Sequence, residues 1–237
     1  MAKHGKKYLD AVKQIDRAEN YPPQEAVELV RETSIAKFDA TVEVHMHLVL
    51  DPRQADQQLR GVVTLPHGTG RQVRILVFAE GEAARTARDA GADYIADEET
   101  IKKIEEGWLE FDATVAIPQM MGKVSKLGRI LGPRGLMPSP KAGTVVDPED
   151  VGRVIDELRK GRIEFKMDKT ANIHVPIGKV SFSPEQILEN FAALMEAVQA
   201  GRPPGAKGQF IKKVVLTSTM GPGVRVDIAD ATALKTA

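Results

Sequence analysis

The chain has 237 residues, with 33 Lys and Arg balanced by 33 Asp and Glu, 42% hydrophobic residues and no cysteine. This length and apolar fraction predict two folded domains and exclude a disordered or collagen-like chain. The lack of cysteine excludes disulfides and thiolate chemistry, and without a signal-peptide pattern or a long apolar run we expect a cytoplasmic protein with no membrane partner.

The first part of the chain contains one long amphipathic strand. Residues 41–50 alternate strictly between apolar and polar side chains. The apolar set is Val42, Val44, Met46, Leu48 and Leu50, and the polar set includes Thr41, Glu43, His45 and His47. This alternation predicts a strand with one buried face. The two histidines and Glu43 could ligate a metal, but the sequence nominates no fourth ligand, so we predict no metal site.

The middle of the chain alternates strand and helix patterns. The predicted strands cover 73–79, 94–95 and 113–117, and the predicted helices cover 82–90, 98–106, 120–131 and 149–159. Strands that alternate with helices are typical of a parallel sheet covered by helices. We therefore predict an inserted Rossmann-like α/β domain over residues 68–159.

The last part of the chain again contains strands. Residues 162–168 alternate with Ile163, Phe165 and Met167 on one side, and 168–171 can turn the chain into a strand at 172–176. These features predict an antiparallel hairpin. Residues 211–219 predict a final long strand.

A capped helix lies between these strands. Ser183, Pro184 and Gln186 have the spacing of a capping box with proline at the first helical position. Neither flank has enough elements to close a core alone. We therefore predict that residues 1–67 and 160–237 pack together as one discontinuous α+β split sandwich, which gives a mixed α/β and α+β fold class.

The net charge of zero is the sum of an acidic middle region and basic flanks. Residues 68–159 carry 13 Lys and Arg against 16 Asp and Glu, whereas the flanks carry 20 against 17. Within 121–141 there are glycines and five cations but no acid; the cations are Lys123, Lys126, Arg129, Arg134 and Lys141. Glycine N–H groups among cations can hold anionic oxygens, although a charge run is more often a solvated face.

Signatures of catalysis are missing from the sequence. It contains no dinucleotide-binding glycine turn, Walker motif or nucleophile elbow, and no paired carboxylates in an apolar setting. We therefore predict no enzyme and no cofactor. The alternative is a two-domain hinged α/β enzyme or small-molecule-binding protein. Thermal stabilisation of the protein by a nucleotide, but not by structured RNA, would favour this alternative.

Two segments have the composition of a binding surface. Lys37 and Phe38 place a cation beside an aromatic ring before the first long strand, and residues 217–221 end the last strand with three hydroxyls, a methionine and a glycine. Aromatic rings, hydroxyls and bare backbone suit contact with ribose and phosphate. Alternatively, Phe38 enters the core and 217–221 is only a polar turn.

Residues 128–144, GRILGPRGLMPSPKAGT, strongly resemble the signature of the bacterial large-subunit ribosomal protein L-one family, proteins of the mobile stalk beside the tRNA exit site. Further blocks match in order over essentially the whole chain, at 3–6, 36–39, 41–45, 61–70, 161–165, 168–170, 205–208 and 219–222.

The resemblance implies binding to the stalk segment of large-subunit ribosomal RNA, release of deacylated exit-site tRNA, and repression of translation of the protein's own operon mRNA. It also implies a cytoplasmic location in the large ribosomal subunit and a monomer when free. Carried over by position, the RNA-binding residues are Lys37, Phe38, Thr41, Glu43, Lys166, Asp168, Lys169, Thr217, Ser218, Thr219, Met220 and Gly221. The five cations of 121–141 would supply a secondary RNA contact.

Overall fold

A computed structural model describes residues 5–206 and 208–235 of the chain. These residues form two compact units, one that runs up to Gly70 and resumes at Ile163, and one that covers Arg71–Arg162. The predicted fold class, an α+β part from both chain ends with an inserted parallel α/β part, is confirmed. Residues 3, 4 and 207 of the matching sequence blocks lie outside the described residues.

In chain order the helices and strands are α1 (Lys6–Val12), α2 (Pro23–Glu32), β1 (Thr41–Leu48), β2 (Arg60–Thr64), β3 (Ile75–Phe78), α3 (Glu82–Asp89), β4 (Tyr94–Ile95), α4 (Glu98–Glu105), β5 (Ala113–Ala116), α5 (Met121–Lys126), α6 (Gly128–Leu131), α7 (Val151–Arg159), β6 (Arg162–Lys166), β7 (Asn172–Lys179), α8 (Pro184–Ala200), β8 (Ile211–Ser218), β9 (Val224–Val226) and α9 (Ile228–Ala233). Sequence analysis did not predict α1, α2, β2, β9 or α9.

The discontinuous unit is built on a four-stranded antiparallel sheet with the order β7-β1-β8-β9. The alternation of β1 is confirmed, since Val42, Val44, Met46 and Leu48 are at most 1% exposed. Their face packs against helices α2 and α8 in one hydrophobic core. The sheet therefore has one face in the core and one face directed to solvent.

Helix α8 begins as its sequence predicts. The Ser183 hydroxyl accepts the Gln186 N–H, and the Gln186 side chain accepts the Ser183 N–H. This reciprocal pair satisfies two backbone donors at the first turn. Further along the helix, buried Asn190 accepts the His67 N–H and donates to the carbonyls of Gly68 and Ile177, which fastens the helix to the loop after β2 and to β7.

The predicted hairpin between residues 162 and 176 is wrong. Strand β6 pairs with β2 in a separate two-stranded sheet, whereas β7 pairs with β1. The connecting loop is compact, because Asp168 accepts the backbone N–H groups of Thr170 and Asn172. Pairing with β1 gives β7 a ladder along its whole length and buries its apolar residues in the core, which a short local hairpin would not do.

The inserted unit contains a parallel sheet with the order β4-β3-β5. All four residues of β3 are fully buried, as expected for a strand covered on both faces. The single helix predicted over 120–131 is instead two short helices, α5 and α6, which meet at Leu127.

Candidate nucleic-acid interface

The solvent-directed side of the four-stranded sheet, here called the outer face, is polar and carries cations. Its residues alternate with the core residues along each strand, and all are exposed or half-buried. They are Thr41, Glu43, His45 and His47 of β1, Asn172, His174 and Pro176 of β7, Lys213, Val215 and Thr217 of β8, and Arg225 of β9. The strand register places them in rows that cross the sheet.

A tight turn follows β8 at one end of the outer face. The Thr219 N–H donates to the Thr41 carbonyl at 3.0 Å, and the Thr219 hydroxyl accepts the Thr41 N–H at 3.1 Å. Thr219 therefore fixes the turn to the first residue of β1. A Cβ on Gly221 would lie 2.2 Å from the Ser218 hydroxyl, so a larger residue would require the Ser218 side chain to move.

Met220 stands at the tip of this turn. Its side chain is 73% exposed and its backbone is left-handed, with φ of 67°. Both features are unfavourable for a methionine that has no partner, since the left-handed region costs a residue with a Cβ about 1 kcal/mol or more. The hydrogen bonds of Thr219 hold Met220 in this conformation.

The hydroxyls beside Thr219 have internal roles. The Thr217 hydroxyl lies 3.2–3.4 Å from the carbonyls of Ser218, Gly221 and Pro222 and so supports the turn from below. Ser218 is 2% exposed, and its hydroxyl has no hydrogen-bond partner among the described residues. The predicted surface position of Ser218 is therefore corrected. Its side chain lies on the core side of β8, as do the side chains of Val214 and Leu216.

Lys37 and Phe38 lie at the same end of the sheet as Met220. Phe38 is 62% exposed and precedes Thr41 by three residues. It is not a core residue, so the alternative interpretation of Phe38 is excluded. The neighbouring Asp39 accepts hydrogen bonds from the backbone and hydroxyl of Ser181, which holds this segment to the chain just after β7.

Asp168 and Lys169 lie at the other end of the outer face. Asn172, which follows their loop, pairs with His47, and His47 is six residues from Thr41 along β1, a span of about 20 Å. The structure thus divides most of the predicted site residues between two ends of one surface. Lys166 is exposed on β6, which belongs to the two-stranded sheet and not to the outer face.

The Asp168 carboxylate is strongly stabilised. Partial burial alone would raise its pKa, but hydrogen bonds from the Asn172 backbone, from the Thr170 hydroxyl and N–H, and from His174 lower the pKa to about 2. Asp168 is therefore ionised at neutral pH. Its Oδ1 atom accepts from the loop backbone, whereas Oδ2 accepts from the Thr170 hydroxyl and lies 3.6 Å from His174 Nε2.

Sequence analysis missed the residues between these two ends. His45 and His174 face each other across the β1–β7 pair, and His47 contacts the Asn172 side chain at 2.8 Å. The polar periodicity of β1 could have indicated His45 and His47, but His174 needed the strand register. Among the described residues there is no group of three or more His, Cys, Asp or Glu side chains that could hold a metal.

A groove of about 630 Å³ adjoins the outer face beyond His47. Its wall includes three cations, Arg53, Lys169 and Lys212, and one acid, Asp51. The groove thus continues a cation-bearing surface past the end of β1.

The five cations of 121–141 are all exposed in the inserted unit. Lys123 is paired with Glu80, which raises the pKa of the lysine. The glycines of this segment are less available than the sequence suggests, because Gly132 and Gly135 donate their N–H groups to the carbonyls of Gly128 and Gly132. The N–H groups of these two glycines are therefore not free for an anion, and the exposed cations are the main candidates for an anion contact.

The fold is that of a two-domain α/β protein with a discontinuous α+β unit, and the outer face of that unit is polar and carries Lys213 and Arg225. The chain belongs to the Ribosomal protein L1p/L10e family, whose sequence model matches residues 30–222. This confirms the predicted family.

Curated relatives are similar over nearly the whole chain. The Large ribosomal subunit protein uL1 of Chloroflexus aggregans is 58% identical over 236 residues, which cover 99% of this chain and all of the relative. The proteins of the same name from two strains of Chloroflexus aurantiacus are 57% identical with the same coverage. Within the described part of the chain, no helix is both long and apolar enough to cross a membrane.

Proposed function

We propose that the chain is a constituent of the large ribosomal subunit in the bacterial cytoplasm and binds folded ribosomal RNA of the stalk. Its family and the names of its relatives support this role. The proposed RNA surface consists of the outer face, the segment with Lys37 and Phe38, and the turn with Thr219, Met220 and Gly221. Lys166, Asp168 and Lys169 would extend or support it, and the free protein would be a monomer.

The observation that carries the RNA surface is the conformation of Met220. An exposed apolar side chain and a left-handed backbone both lower the stability of the free protein. Contact with a partner would explain why both occur at one residue. Here the turn is fixed to β1 by two hydrogen bonds: the Thr219 N–H donates to the Thr41 carbonyl, and the Thr41 N–H donates to the Thr219 hydroxyl. Such a preorganised turn can pack against a ribose or a base without further loss of backbone entropy.

Hydrogen bonding and packing would supply most of the affinity. The chain has no net charge, and the outer face carries Glu43 as well as Lys213 and Arg225. Phosphate contacts position an RNA, whereas hydroxyl and shape contacts distinguish it from DNA.

The test is the substitution Met220→Asp, which places a charge at the centre of the proposed contact. It should weaken binding to a transcribed stalk RNA by about tenfold or more, because an apolar contact is lost and phosphate is repelled. Filter binding measures the change. Leu9→Asp is the matched control, since Leu9 is also an exposed apolar residue but lies on α1, which carries no residue of the proposed RNA surface. Equal binding by the two variants would contradict the proposal.

The cations of the inserted unit are proposed as a secondary RNA contact. Lys126 and Arg129 have no ion-pair partner among the described residues, whereas Lys123 is paired with Glu80. Lys126→Ala and Arg129→Ala should therefore weaken RNA binding more than Lys123→Ala does. If Lys123→Ala were the most harmful of the three, this contact would be wrong.

Two finer roles are proposed from the family resemblance: release of deacylated tRNA from the exit site and repression of the protein's own operon mRNA. Added protein should lower translation of that mRNA in a cell-free system, and Met220→Asp should relieve the repression if the same surface binds both RNAs. Repression that Met220→Asp leaves intact would separate the two sites.

A further inference from the structure

Two histidines at the centre of the outer face share a hydrogen bond. His45 and His174 are directly opposite in the antiparallel register, and their Nδ1 atoms are 2.7 Å apart. The rings meet edge to face with centroids 4.9 Å apart. One ring must donate its Nδ1–H to the lone pair of the other. Two Nδ1–H groups cannot face each other at this distance, so the pair accepts one extra proton but not two.

The Nε2 atom of each ring lies near a carboxylate. His45 Nε2 is 3.7 Å from Glu43 Oε2, and His174 Nε2 is 3.6 Å from Asp168 Oδ2. In the neutral pair the donor ring carries its hydrogen on Nδ1, so its Nε2 turns a lone pair toward a carboxylate. One added proton gives both Nε2 atoms a hydrogen. The singly protonated pair therefore keeps the shared hydrogen bond and carries a hydrogen on each Nε2. The Nε2–H of His45 lies 3.7 Å from Glu43, beyond hydrogen-bond distance, so it can donate to a phosphate oxygen.

The surroundings set how readily this proton is held. Burial lowers the pKa of His45 and the facing His174 lowers it further, whereas Glu43 opposes both. The other groups around the pair are His47 on β1, Lys213 on β8, Arg225 on β9, and Asp168 and Lys169 in the loop before β7; the residue opposite His45 on β8 is the uncharged Val215.

We propose that the His45–His174 pair is a phosphate contact of the RNA interface and that RNA binding takes up the one proton that the two rings share. The proposal rests on the RNA-binding function proposed above. A phosphate placed close to the two histidines favours the protonated pair, because a nearby negative charge stabilises imidazolium. By linkage, the same proton strengthens phosphate binding by an equal factor.

The direct test measures RNA binding as a function of pH. The full chain is titrated with transcribed stalk RNA at constant ionic strength between about pH 6 and pH 8, the range in which histidine changes charge. The affinity should be about three- to tenfold higher at the acidic end, since one proton limits the change to about tenfold per pH unit. Calorimetry in two buffers of different ionisation enthalpy should show net uptake of up to one proton.

Substitutions assign the proton to the pair. His174→Gln retains hydrogen-bonding groups but cannot be protonated, so it should flatten the pH dependence and abolish the uptake. His45→Gln should do the same and provides a second variant if the first misfolds. His67→Gln is the matched control, because His67 contacts Glu189 on α8 and lies off the outer face. It should retain the pH dependence of the unaltered chain, and it also accounts for titration of the RNA itself.

The outcomes separate this inference from the proposed function. RNA binding that is independent of pH and takes up no proton overturns the inference and leaves the function intact. The same follows if both His174→Gln and His45→Gln retain the full pH dependence. If the unaltered chain binds stalk RNA at no pH, the proposed function fails, and the inference fails with it.

Discussion

Single residues determine how the turn after β8 is presented. The Thr219 hydroxyl accepts the N–H of Thr41 and also lies 3.3 Å from its carbonyl. The composition of the turn could be read from the sequence, but the exposure and left-handed backbone of Met220 could not, because they depend on a partner residue 178 positions away. Ser218 was predictable, since the alternation of β8 places it inward with Val214 and Leu216.

Replacing Thr219 by Val keeps the shape of the side chain and removes its hydroxyl. The Thr41 N–H then loses its acceptor and the turn is less firmly held, so RNA affinity should fall about tenfold, or about 1.4 kcal/mol. Filter binding with stalk RNA checks this. Thr232→Val removes a similar hydroxyl on α9 and should leave RNA binding unchanged. A Thr219→Val variant that binds like the unaltered chain would show that the hydroxyl does not preorganise the turn.

The Asp168 carboxylate makes the stability of the fold depend on pH in the acid range. Because its folded pKa of about 2 lies below the ordinary 3.8, ionised Asp168 stabilises the fold above about pH 4, and this stabilisation is lost as the pH falls toward 2. Its side chain is 39% exposed, so solvent screening reduces the effect to about 1 kcal/mol. Asp168→Asn should thus lower the free energy of unfolding at pH 7.

Urea unfolding at pH 7 and at pH 2.5 measures this difference. The gap between Asp168→Asn and the unaltered chain should shrink at the lower pH. Asp10→Asn is the control, because among residues 5–206 and 208–235 Asp10 pairs only with Lys13, at an exposed position. A gap of equal size at both pH values would contradict the account of Asp168.

Elements with a complete local pattern were the ones that sequence analysis predicted well. Strand β1 has a strict two-residue period and α8 has a capping box with one apolar stripe, and both begin where predicted. The hairpin of β6 and β7 was wrong because strand pairing is decided by long-range partners and not by the nearest turn. The row formed by His45 and His174 was missed for the same reason.

Asn190 shows how one element is held by a polar group in the core. It is fully buried on α8 and bonds the His67 N–H and the carbonyls of Gly68 and Ile177. Asn190→Leu would leave all three backbone groups unpaired, and the cost should be about 2–4 kcal/mol.

Chemical denaturation measures this cost. Gln199→Leu is the matched control, because Gln199 is an exposed amide on the same helix that bonds one carbonyl of Thr232. It should change the free energy of unfolding by less than about 1 kcal/mol. Equal losses for the two variants would mean that Asn190 does not hold these segments together.

For the whole molecule, a net charge of zero limits the electrostatic share of RNA binding. The cations on or at the edges of the outer face include Lys37, Lys169, Lys179, Lys213 and Arg225. Five phosphate contacts predict a slope of about −3.5 to −4.5 for the logarithm of the binding constant against the logarithm of the salt concentration.

Binding at several salt concentrations measures this slope. Lys213→Ala should reduce its magnitude by about 1, and Lys166→Ala should do so only if Lys166 also contacts phosphate. Lys13→Ala, at an exposed pair on the edge of α1, should have no effect. A slope steeper than about −6 would contradict an interface that depends mainly on hydrogen bonds and packing.

The central position of β1 in its sheet has a consequence for biosynthesis. This strand is made early, but its neighbours β7, β8 and β9 come from the last third of the chain. The inserted unit, in contrast, is contiguous from Arg71 to Arg162 and can complete its own sheet while translation continues. The surface that we propose for RNA therefore assembles only when the chain is almost finished, so a partly synthesised polypeptide does not yet carry that surface.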